Sequence, residues 1–264
     1  TTSFFVLRAV DINPTDSSVS SIYHEVIELT ACYPHRMIVM KFGGTSVEDG
    51  AAIRRLIGIV ESRLGAKPVL IISALAKVTD QLLEAGNAAA KGHLGSALAT
   101  VRNIYVRHEE LADSLLSASA YGSLDRELRG EFQALESFLH DLETSRHFDL
   151  KAQDRLLSFG ECFSSRLVGW ALSEAGLLAV HVDASNCIVT DGRHGQANPL
   201  WDVTNQGLRD VLNPLLQSES VPVLGGFIAS TIDGVPTTLG RGGSDFSAAI
   251  VGAALGASRV EIWT

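Results

Sequence analysis

The sequence predicts an α/β fold, in which an open, mostly parallel, doubly wound sheet carries helices on both faces. From Met37 onward, short apolar runs typical of buried strands alternate with helical patterns, which favours parallel strands joined by crossover helices. Glycine-rich turns join apolar runs to helical segments at two places, residues 42–46 and 240–245. The composition, 46% hydrophobic and 19% charged over 264 residues, is that of a globular chain able to bury such a sheet.

Six apolar segments are predicted to form the strands. A hairpin turn is predicted at Asp233-Gly234, within residues 230–240, because Asp-Gly is a frequent turn dipeptide between short strands. The predicted strands cover residues 37–42, 67–75, 177–185, 186–192, 221–230 and 258–264.

Residues 80–176 are predicted to be almost entirely helical, with a helical hairpin at about 80–160 inserted beside the sheet. One apolar stripe recurs at steps of three and four residues, as on one face of an amphipathic helix. We interpret this stripe as core. Its members are Leu128, Phe132, Leu135, Leu139 and Leu142.

Residues 1–36 show little periodicity, and the only two methionines of the chain are Met37 and Met40. We therefore interpret residues 1–36 as an N-terminal leader that is either disordered or not native. Residues 37–264 are expected to form a single domain.

Composition excludes several classes of function. The formal charge of −9 and pI of about 5.3 argue against nucleic acid as a partner. The longest apolar stretch, residues 248–257, is short of the ~20 residues that span a bilayer, so no membrane partner is expected. The three cysteines, Cys32, Cys162 and Cys187, are far apart, which suits a reducing compartment and predicts a cytoplasmic location. No metal-ligand spacing is found.

The segment "KFGGTS", residues 41–46, follows a predicted strand and precedes a predicted helix. Glycines at such a junction let backbone N–H groups approach an anion, and Lys41 adds a positive charge. Taken alone, a segment of this kind is more often a structural turn than an anion site. Thr45 and Glu48 have capping-box spacing, which predicts that the helix starts directly after the glycines. The spacing matches neither a Walker A loop nor G-x-G-x-x-G, which disfavours a dinucleotide-dependent oxidoreductase.

A second glycine-rich segment, "GRGGSD" at residues 240–245, also leads into a helix, with Ser244 as predicted N-cap. The guanidinium of Arg241 can bind a carboxylate through two hydrogen bonds, and Asp245 can bind an ammonium group. These are the two charged ends of an α-amino acid. Alternatively, Asp245 only caps the helix and pairs with Arg241.

Two further segments carry candidate site residues. Glu161 lies in a helical stretch, where it is either a surface acid or a carboxylate turned into the site. The second predicted strand ends in small and hydroxyl-bearing residues, and ligands of open α/β sheets bind beyond the carboxyl ends of strands. The candidates at that rim are Ser73, Ala74 and Thr79.

Taken together, these segments resemble the aspartokinases of the amino acid kinase family, whose fold is carbamate kinase-like. The resemblance is carried by "KFGGTSV", "SALAKVTDQLL", "SFGE", "IVTDGRHGQANP", "GGFIAS" and "TTLGRGGSDFSAAIVGAALGASRVEIWT", in this order from about residue 38 to the end. It implies transfer of the γ-phosphoryl group of ATP, bound with Mg²⁺, to the β-carboxylate of L-aspartate. Amino-acid biosynthesis is the implied context, and a homo-oligomer is expected for a full-length enzyme.

The resemblance also implies roles for individual residues. Lys41, Arg241 and Asp245 would be catalytic, with Arg241 on the α-carboxylate of aspartate and with Glu161 and Asp245 at its ammonium group. No protein metal ligands are implied, because ATP would hold the Mg²⁺. The implied ATP-binding residues are Lys41, Phe42, Gly43, Gly44 and Thr264, and the implied aspartate-binding residues are Ser73, Ala74, Thr79, Glu161, Arg241, Gly242, Gly243, Ser244 and Asp245.

The family pattern continues beyond "EIWT" with further nucleotide contacts and regulatory domains. We therefore expect a truncated catalytic domain that is inactive by itself. The alternatives are an inactive fragment that keeps only the aspartate-side pocket, and a sibling amino acid kinase with another acid as substrate.

Overall fold

The computed structural model describes residues 4–7 and 37–264. Strand β1 (Phe4–Leu7) lies within the segment that the sequence analysis treats as a leader, and it pairs antiparallel with the last strand of the chain. The prediction that residues 1–36 form a disordered or non-native leader otherwise falls on residues that lie outside the described ranges. In the described part of the chain, no helix combines the length and apolarity needed to span a membrane.

The main sheet has six strands, and all neighbours pair in parallel except β1 with β9. This confirms the prediction of a mostly parallel sheet. The order across the sheet is β1-β9-β2-β3-β6-β4. The five strands besides β1 are β2 (Ile38–Phe42), β3 (Pro68–Ile72), β4 (Ala179–Val182), β6 (Val221–Gly225) and β9 (Arg259–Trp263).

A second sheet of three strands stands apart from the first, with order β5-β7-β8. It contains β5 (Val189–Thr190), β7 (Ile228–Thr231) and β8 (Pro236–Thr238). The prediction of one strand over 221–230 is therefore wrong, because the chain turns at Gly226-Phe227, where Phe227 has φ 65°. The predicted hairpin at Asp233-Gly234 is confirmed by the antiparallel pairing of β7 and β8.

Seven α-helices are found in the described residues. Four of them lie between residues 78 and 174, in the region predicted to be helical, and they pack on one another. The predicted single hairpin therefore underestimates the number of helices. The predicted stripe on α4 is confirmed, since its five residues are all buried. The helices are α1 (Gly50–Glu61), α2 (Val78–Ala90), α3 (Leu94–Leu115), α4 (Ala118–Ser145), α5 (Leu150–Glu174), α6 (Trp201–Gln217) and α7 (Gly243–Leu255).

The side chains of β2 alternate between two separate hydrophobic cores. Ile38 and Met40 face the layer formed by α1 to α5, whereas Val39 faces the layer formed by α6 and α7. This alternation follows from the two-residue period of a strand. It confirms the doubly wound arrangement, and it decides which layer each side chain of β2 can reach.

The start of α1 differs from the prediction. A 3₁₀ turn (Gly44–Ser46) follows the glycines, and the α-helix begins only at Gly50. Asp49 is the N-cap, and its carboxylate accepts a 2.7 Å hydrogen bond from the N–H of Ala52. The predicted Thr45–Glu48 capping box is therefore wrong, because the chain needs one more turn before it can enter the helix.

Candidate active site

A cleft of about 540 Å³ opens beyond the carboxyl end of β2, between α5, the start of α7 and the loops that precede them. It brings together residues from distant parts of the chain that the sequence analysis named. These residues are Lys41, Thr79, Glu161, Arg241, Gly242, Gly243, Ser244 and Asp245.

Lys41 enters the cleft from β2, and only 8% of its surface is exposed. It shares a face of the strand with Val39, so its side chain points toward the α6–α7 layer. There its Nζ lies 2.6 Å from Oδ1 of Asp245 in the first turn of α7. The alternative in which Asp245 pairs with Arg241 is wrong, because the partner of Asp245 is Lys41.

The segment 240–243 turns sharply before α7. Gly240 and Gly242 have φ of 78° and 72°, a region that residues with a side chain rarely adopt. The helix starts at Gly243 with Gly242 as its N-cap, so the prediction that Ser244 is the N-cap is wrong. Ser244 instead lies in the first turn and packs against Gly226, where an added Cβ would lie 2.7 Å from the Cβ of Ser244.

Arg241 lies at the rim of the cleft and is exposed. It makes no ion pair with any residue of the described ranges. Its guanidinium therefore keeps its donors available to a ligand carboxylate, which it can bind through two parallel hydrogen bonds.

Glu161 projects from α5 into the same cleft and is only 4% exposed. Burial raises the pKa of its carboxyl to about 8, although a hydrogen bond from the backbone of Ala74 opposes this shift. Its Oε2 atom has no partner among the described residues. The sequence alternative of a surface acid is thus wrong. Below that pKa the carboxyl is protonated, and a ligand ammonium group placed at its unbonded oxygen would lower the pKa and favour the carboxylate.

The residues at the end of β3 divide between the wall of the cleft and the layer behind it. Thr79 lines the cleft. Ala74 lies behind the lining, where it supports Glu161 through its backbone. The carbonyl oxygen of Ser73 accepts a 2.8 Å hydrogen bond from Oγ of Ser164 on α5. Ser73 and Ala74 therefore lie behind the lining, in contact with α5, and do not form part of the wall.

The predicted nucleotide-side residues lie on the other side of Lys41. Phe42 and Thr264 line a smaller cavity of about 140 Å³. The N–H of Gly43 donates a 2.8 Å hydrogen bond to the carbonyl oxygen of Trp263, so this N–H group is already used. Gly44 begins the 3₁₀ turn, whose first N–H group has no partner inside the turn. Of the two glycine amides, that of Gly44 is the one open to an anion.

Sequence reasoning missed Asp154, which lines the cleft from α5 and is 1% exposed. It accepts hydrogen bonds from Nδ1 of His194, the N–H of Gly195 and the hydroxyl of Thr238. These bonds tie the 191–198 loop and β8 to α5. One signal could have found it, because Asp154 and Glu161 are seven residues apart and so lie on one face of the helix.

The charges of the cleft are mixed. Lys41 and Arg241 carry positive charge, and Glu161 and Asp245 carry carboxyl groups. In the part of the chain that is described, no cluster of three or more His, Cys, Asp or Glu residues is arranged to hold a metal ion. Such a cleft can receive a small zwitterion at one end and further negative charge near Lys41.

The model of the amino acid kinase family matches residues 36–264. Lysine-sensitive aspartokinase 3 of Escherichia coli (strain K12) is 33% identical over 233 residues, which cover 86% of this chain and 49% of that protein. Aspartokinase 2, chloroplastic, of Arabidopsis thaliana is 29% identical over 237 residues, or 85% of this chain and 41% of that protein. The chain thus spans about half or less of the length of these curated relatives.

Solved structures show the same fold. The crystal structure of E. coli aspartokinase III in complex with aspartate and ADP matches 86% of this chain and 49% of that chain. The TM-score is 0.78 and the sequence identity is 31%. The structure of the same enzyme with lysine and aspartate matches with an equal TM-score.

Proposed function

The chain belongs to the amino acid kinase family, and from this premise we propose that it carries the aspartate site of an ATP-dependent aspartate kinase. The reaction transfers the γ-phosphoryl group of ATP to the β-carboxylate of L-aspartate and gives 4-phospho-L-aspartate. This product is the first intermediate of the route to lysine, threonine and methionine.

One observation carries the proposal: a single cleft holds, on separate elements, a guanidinium with no ion-pair partner among the described residues and a buried carboxyl group. Arg241, before α7, is suited to the α-carboxylate, and Glu161, on α5, is suited to the α-ammonium group. The resemblance assigns the carboxylate of Asp245 to the ammonium group as well, a contact that Asp245 would have to share with its ion pair to Lys41. With the α-groups held in this way, the side-chain carboxylate of aspartate is directed toward Lys41.

The chemistry then needs positioning and positive charge. The β-carboxylate has a pKa of about 3.9 and is ionised at neutral pH, so no residue has to remove a proton. The obstacle is the approach of two anions, which Lys41 reduces by placing its ammonium group at the end of β2. When bound, MgATP supplies the phosphoryl group and a divalent cation that neutralises its charge.

The residues beside Lys41 fit such an anionic group. At Gly44, an added Cβ would lie 2.9 Å from the carbonyl oxygen of Ala74, so only a glycine leaves its backbone this close to the neighbouring loop. The amide of Gly44 and the ammonium group of Lys41 would hold phosphate oxygens. Phe42 and Thr264, at the second cavity, would contact the nucleotide.

Two alternatives to the proposed aspartate kinase would use the same site. A sibling amino acid kinase would use the same α-group contacts with another acid, such as glutamate or N-acetylglutamate. The other alternative is aspartate binding without turnover, which is our expectation for this chain alone. The chain covers 24% of the length of one curated bifunctional relative and 49% of another curated aspartokinase that it matches.

The test measures binding and turnover on the same 264-residue chain. Calorimetry with aspartate, glutamate and N-acetylglutamate is combined with hydroxylamine trapping of acyl phosphate in the presence of MgATP. Aspartate binding that is lost in Arg241→Ala supports the proposal, and hydroxamate from aspartate would overturn the expectation of inactivity. Preference for another acid would establish a sibling kinase, and binding of none of the three would overturn the assignment.

A cytoplasmic location and assembly into a homo-oligomer are further proposals. The scattered cysteines support the first. Fractionation of the source cells would test the location, and light scattering of a full-length protein that contains this chain would test the homo-oligomer. The plant relatives are named as chloroplastic proteins, so recovery in an organelle fraction would overturn the proposed location.

A further inference from the structure

Arg107 on α3 contacts both loops that border the proposed site, although it lies outside the cleft. Its Nη1 donates a 2.6 Å hydrogen bond to the carbonyl oxygen of Ala76, and its Nη2 donates a 3.0 Å hydrogen bond to the carbonyl oxygen of Glu48. Ala76 belongs to the loop after β3, and Glu48 to the segment after the glycines. The planar guanidinium can hold two acceptors at once, which a lysine cannot do in the same geometry.

The two loops also touch each other directly. The N–H of Ala76 donates a 3.2 Å hydrogen bond to the carbonyl oxygen of Gly44. An added Cβ at Gly44 would lie 2.9 Å from the carbonyl oxygen of Ala74. The positions of the glycine loop (residues 43–48) and of the 73–77 loop are therefore coupled, and Arg107 is hydrogen-bonded to both of them.

The peptide that Arg107 holds precedes a strained residue. Lys77 has φ 73° and serves as the N-cap of α2, in a conformation that costs a residue with a side chain roughly 1 kcal/mol. The carbonyl group bound by Arg107 belongs to the peptide that joins Ala76 to Lys77. The hydrogen bond from Arg107 thus opposes relaxation of this turn.

Arg107 projects from a fixed part of α3. The next residue, His108, is fully buried, and its Nδ1 lies 2.7 Å from the carbonyl oxygen of Ile104. The ring of His108 packs edge-on against Phe132 of α4 and Phe163 of α5. Because these contacts hold α3 against α4 and α5, they also fix the position from which the side chain of Arg107 extends to the two loops.

We propose that Arg107 is a positioning residue of the site: it holds the 73–77 loop against the glycine loop, so that the backbone of Ala74 supports Glu161 and Gly44 keeps its place beside Lys41. This inference rests on the proposed function for its effect on aspartate and nucleotide. The loop geometry that it describes does not depend on that function.

The experiment compares Arg107→Ala with Arg54→Ala in the whole chain. Arg54 is a matched control because its Nη2 also donates a short hydrogen bond, 2.6 Å, to a carbonyl oxygen, that of Ser114 on α3, but without contact to the 73–77 loop. Hydrogen exchange is followed at the amide of Ala76 and, as an internal reference, at the amide of Leu239, which donates to the carbonyl oxygen of Phe227.

In Arg107→Ala we expect exchange at Ala76 to rise about 10-fold or more, and the Kd for aspartate to rise about 10-fold, as for the loss of one charge-assisted hydrogen bond. Exchange at Leu239 and all values in Arg54→Ala should stay unchanged. Adding Lys77→Gly to Arg107→Ala should restore much of the protection at Ala76, because glycine adopts φ 73° without strain.

Unchanged exchange at Ala76 in Arg107→Ala would overturn the positioning role. Faster exchange at both Ala76 and Leu239 would also overturn it, because it would show only a loss of global stability. Absence of rescue by Lys77→Gly would overturn the part assigned to backbone strain. If the unaltered chain binds no aspartate, the proposed function fails, but the exchange data still decide whether Arg107 holds the loops.

Discussion

Lys41 at the end of β2 and Asp245 in the first turn of α7 form an ion pair with Nζ and Oδ1 2.6 Å apart. The two ends of this pair differ in environment, since the side chain of Lys41 is 9% exposed and that of Asp245 is 53% exposed. The two glycine-rich segments of the sequence, which are remote along the chain, thus meet through their charged residues. A phosphate group that binds Lys41 has to compete with Asp245.

Replacing Lys41 by Met should remove nucleotide binding without unfolding the chain. Methionine has a similar length and is apolar, and the carboxylate left without its partner, that of Asp245, is 53% exposed and stays hydrated. A hydrogen bond to a charged group contributes about 1.5–3 kcal/mol, so the Kd for MgADP should rise about 10- to 100-fold. Calorimetry and thermal melting check the two expectations, and an unchanged Kd would exclude Lys41 from the nucleotide site.

Replacing Asp245 by Asn should have the opposite effect on nucleotide affinity. The amide is neutral and does not compete with phosphate for Lys41, so we expect the Kd for MgADP to fall several-fold, most strongly at low ionic strength. Aspartate should bind more weakly, because the ammonium group loses one carboxylate. Titrations at two salt concentrations measure both. Weaker MgADP binding would show that Asp245 acts by orienting Lys41.

The raised pKa of Glu161 predicts that the free energy of unfolding depends on pH. Its folded pKa of about 8 lies above its ordinary value of 4.5, so the folded chain keeps a proton that the unfolded chain releases between these values. The resulting stabilisation is complete below pH 4.5 and is lost as the pH rises toward 8, by at most about 1.4 kcal/mol per pH unit.

Glu161→Gln should remove this dependence. The free energy of unfolding of the variant should exceed that of the unaltered chain increasingly from pH 6.5 to pH 8. Burial lowers the pKa of His108 and His181 to about 4, so their own effects fall below this window. Chemical denaturation at several pH values measures the difference. The exposed Glu136→Gln on α4 serves as control, and a constant difference across the window would contradict a protonated Glu161.

Gly44→Ala should destabilise the contact between the glycine loop and the 73–77 loop. The new Cβ would lie 2.9 Å from the carbonyl oxygen of Ala74 and 3.2 Å from the backbone nitrogen of Ala76. Overpacking of this kind costs about 1–3 kcal/mol. In contrast, Gly58→Ala in α1 meets nothing within 4 Å and should stabilise by about 0.5–1 kcal/mol. Thermal melts of the two variants should shift in opposite directions, and equal shifts would contradict the close approach at Gly44.

Asp49→Ala should destabilise the start of α1 by about 1 kcal/mol, because it removes the side-chain acceptor at the N-cap. The capping-box pair that sequence spacing suggests makes no such contact, so Thr45→Ala and Glu48→Ala should each stay within about 0.5 kcal/mol of the unaltered chain. Chemical denaturation of the three variants decides between the two caps. A larger loss at Glu48 than at Asp49 would favour the capping box.

By itself, the sequence determined the alternation of strands and helices, the mostly parallel doubly wound sheet and the two glycine-rich segments. Each of these follows from local patterns: short continuous apolar runs, a three-to-four-residue period and residues that permit unusual φ values. The apolar stripe of α4 could be predicted residue by residue for the same reason, since helical spacing places all of its members on one face.

Only the tertiary structure decided which groups meet. Lys41 pairs with Asp245 because the parity of β2 turns it toward α7, and Glu161 is buried because α5 packs against the end of β3. The break at Gly226-Phe227 and the two hydrogen bonds of Arg107 likewise depend on contacts between remote segments. Spacing along a chain sets the direction of a side chain within its own element. What that side chain touches depends on how the elements pack, because burial and partnership are properties of the folded assembly.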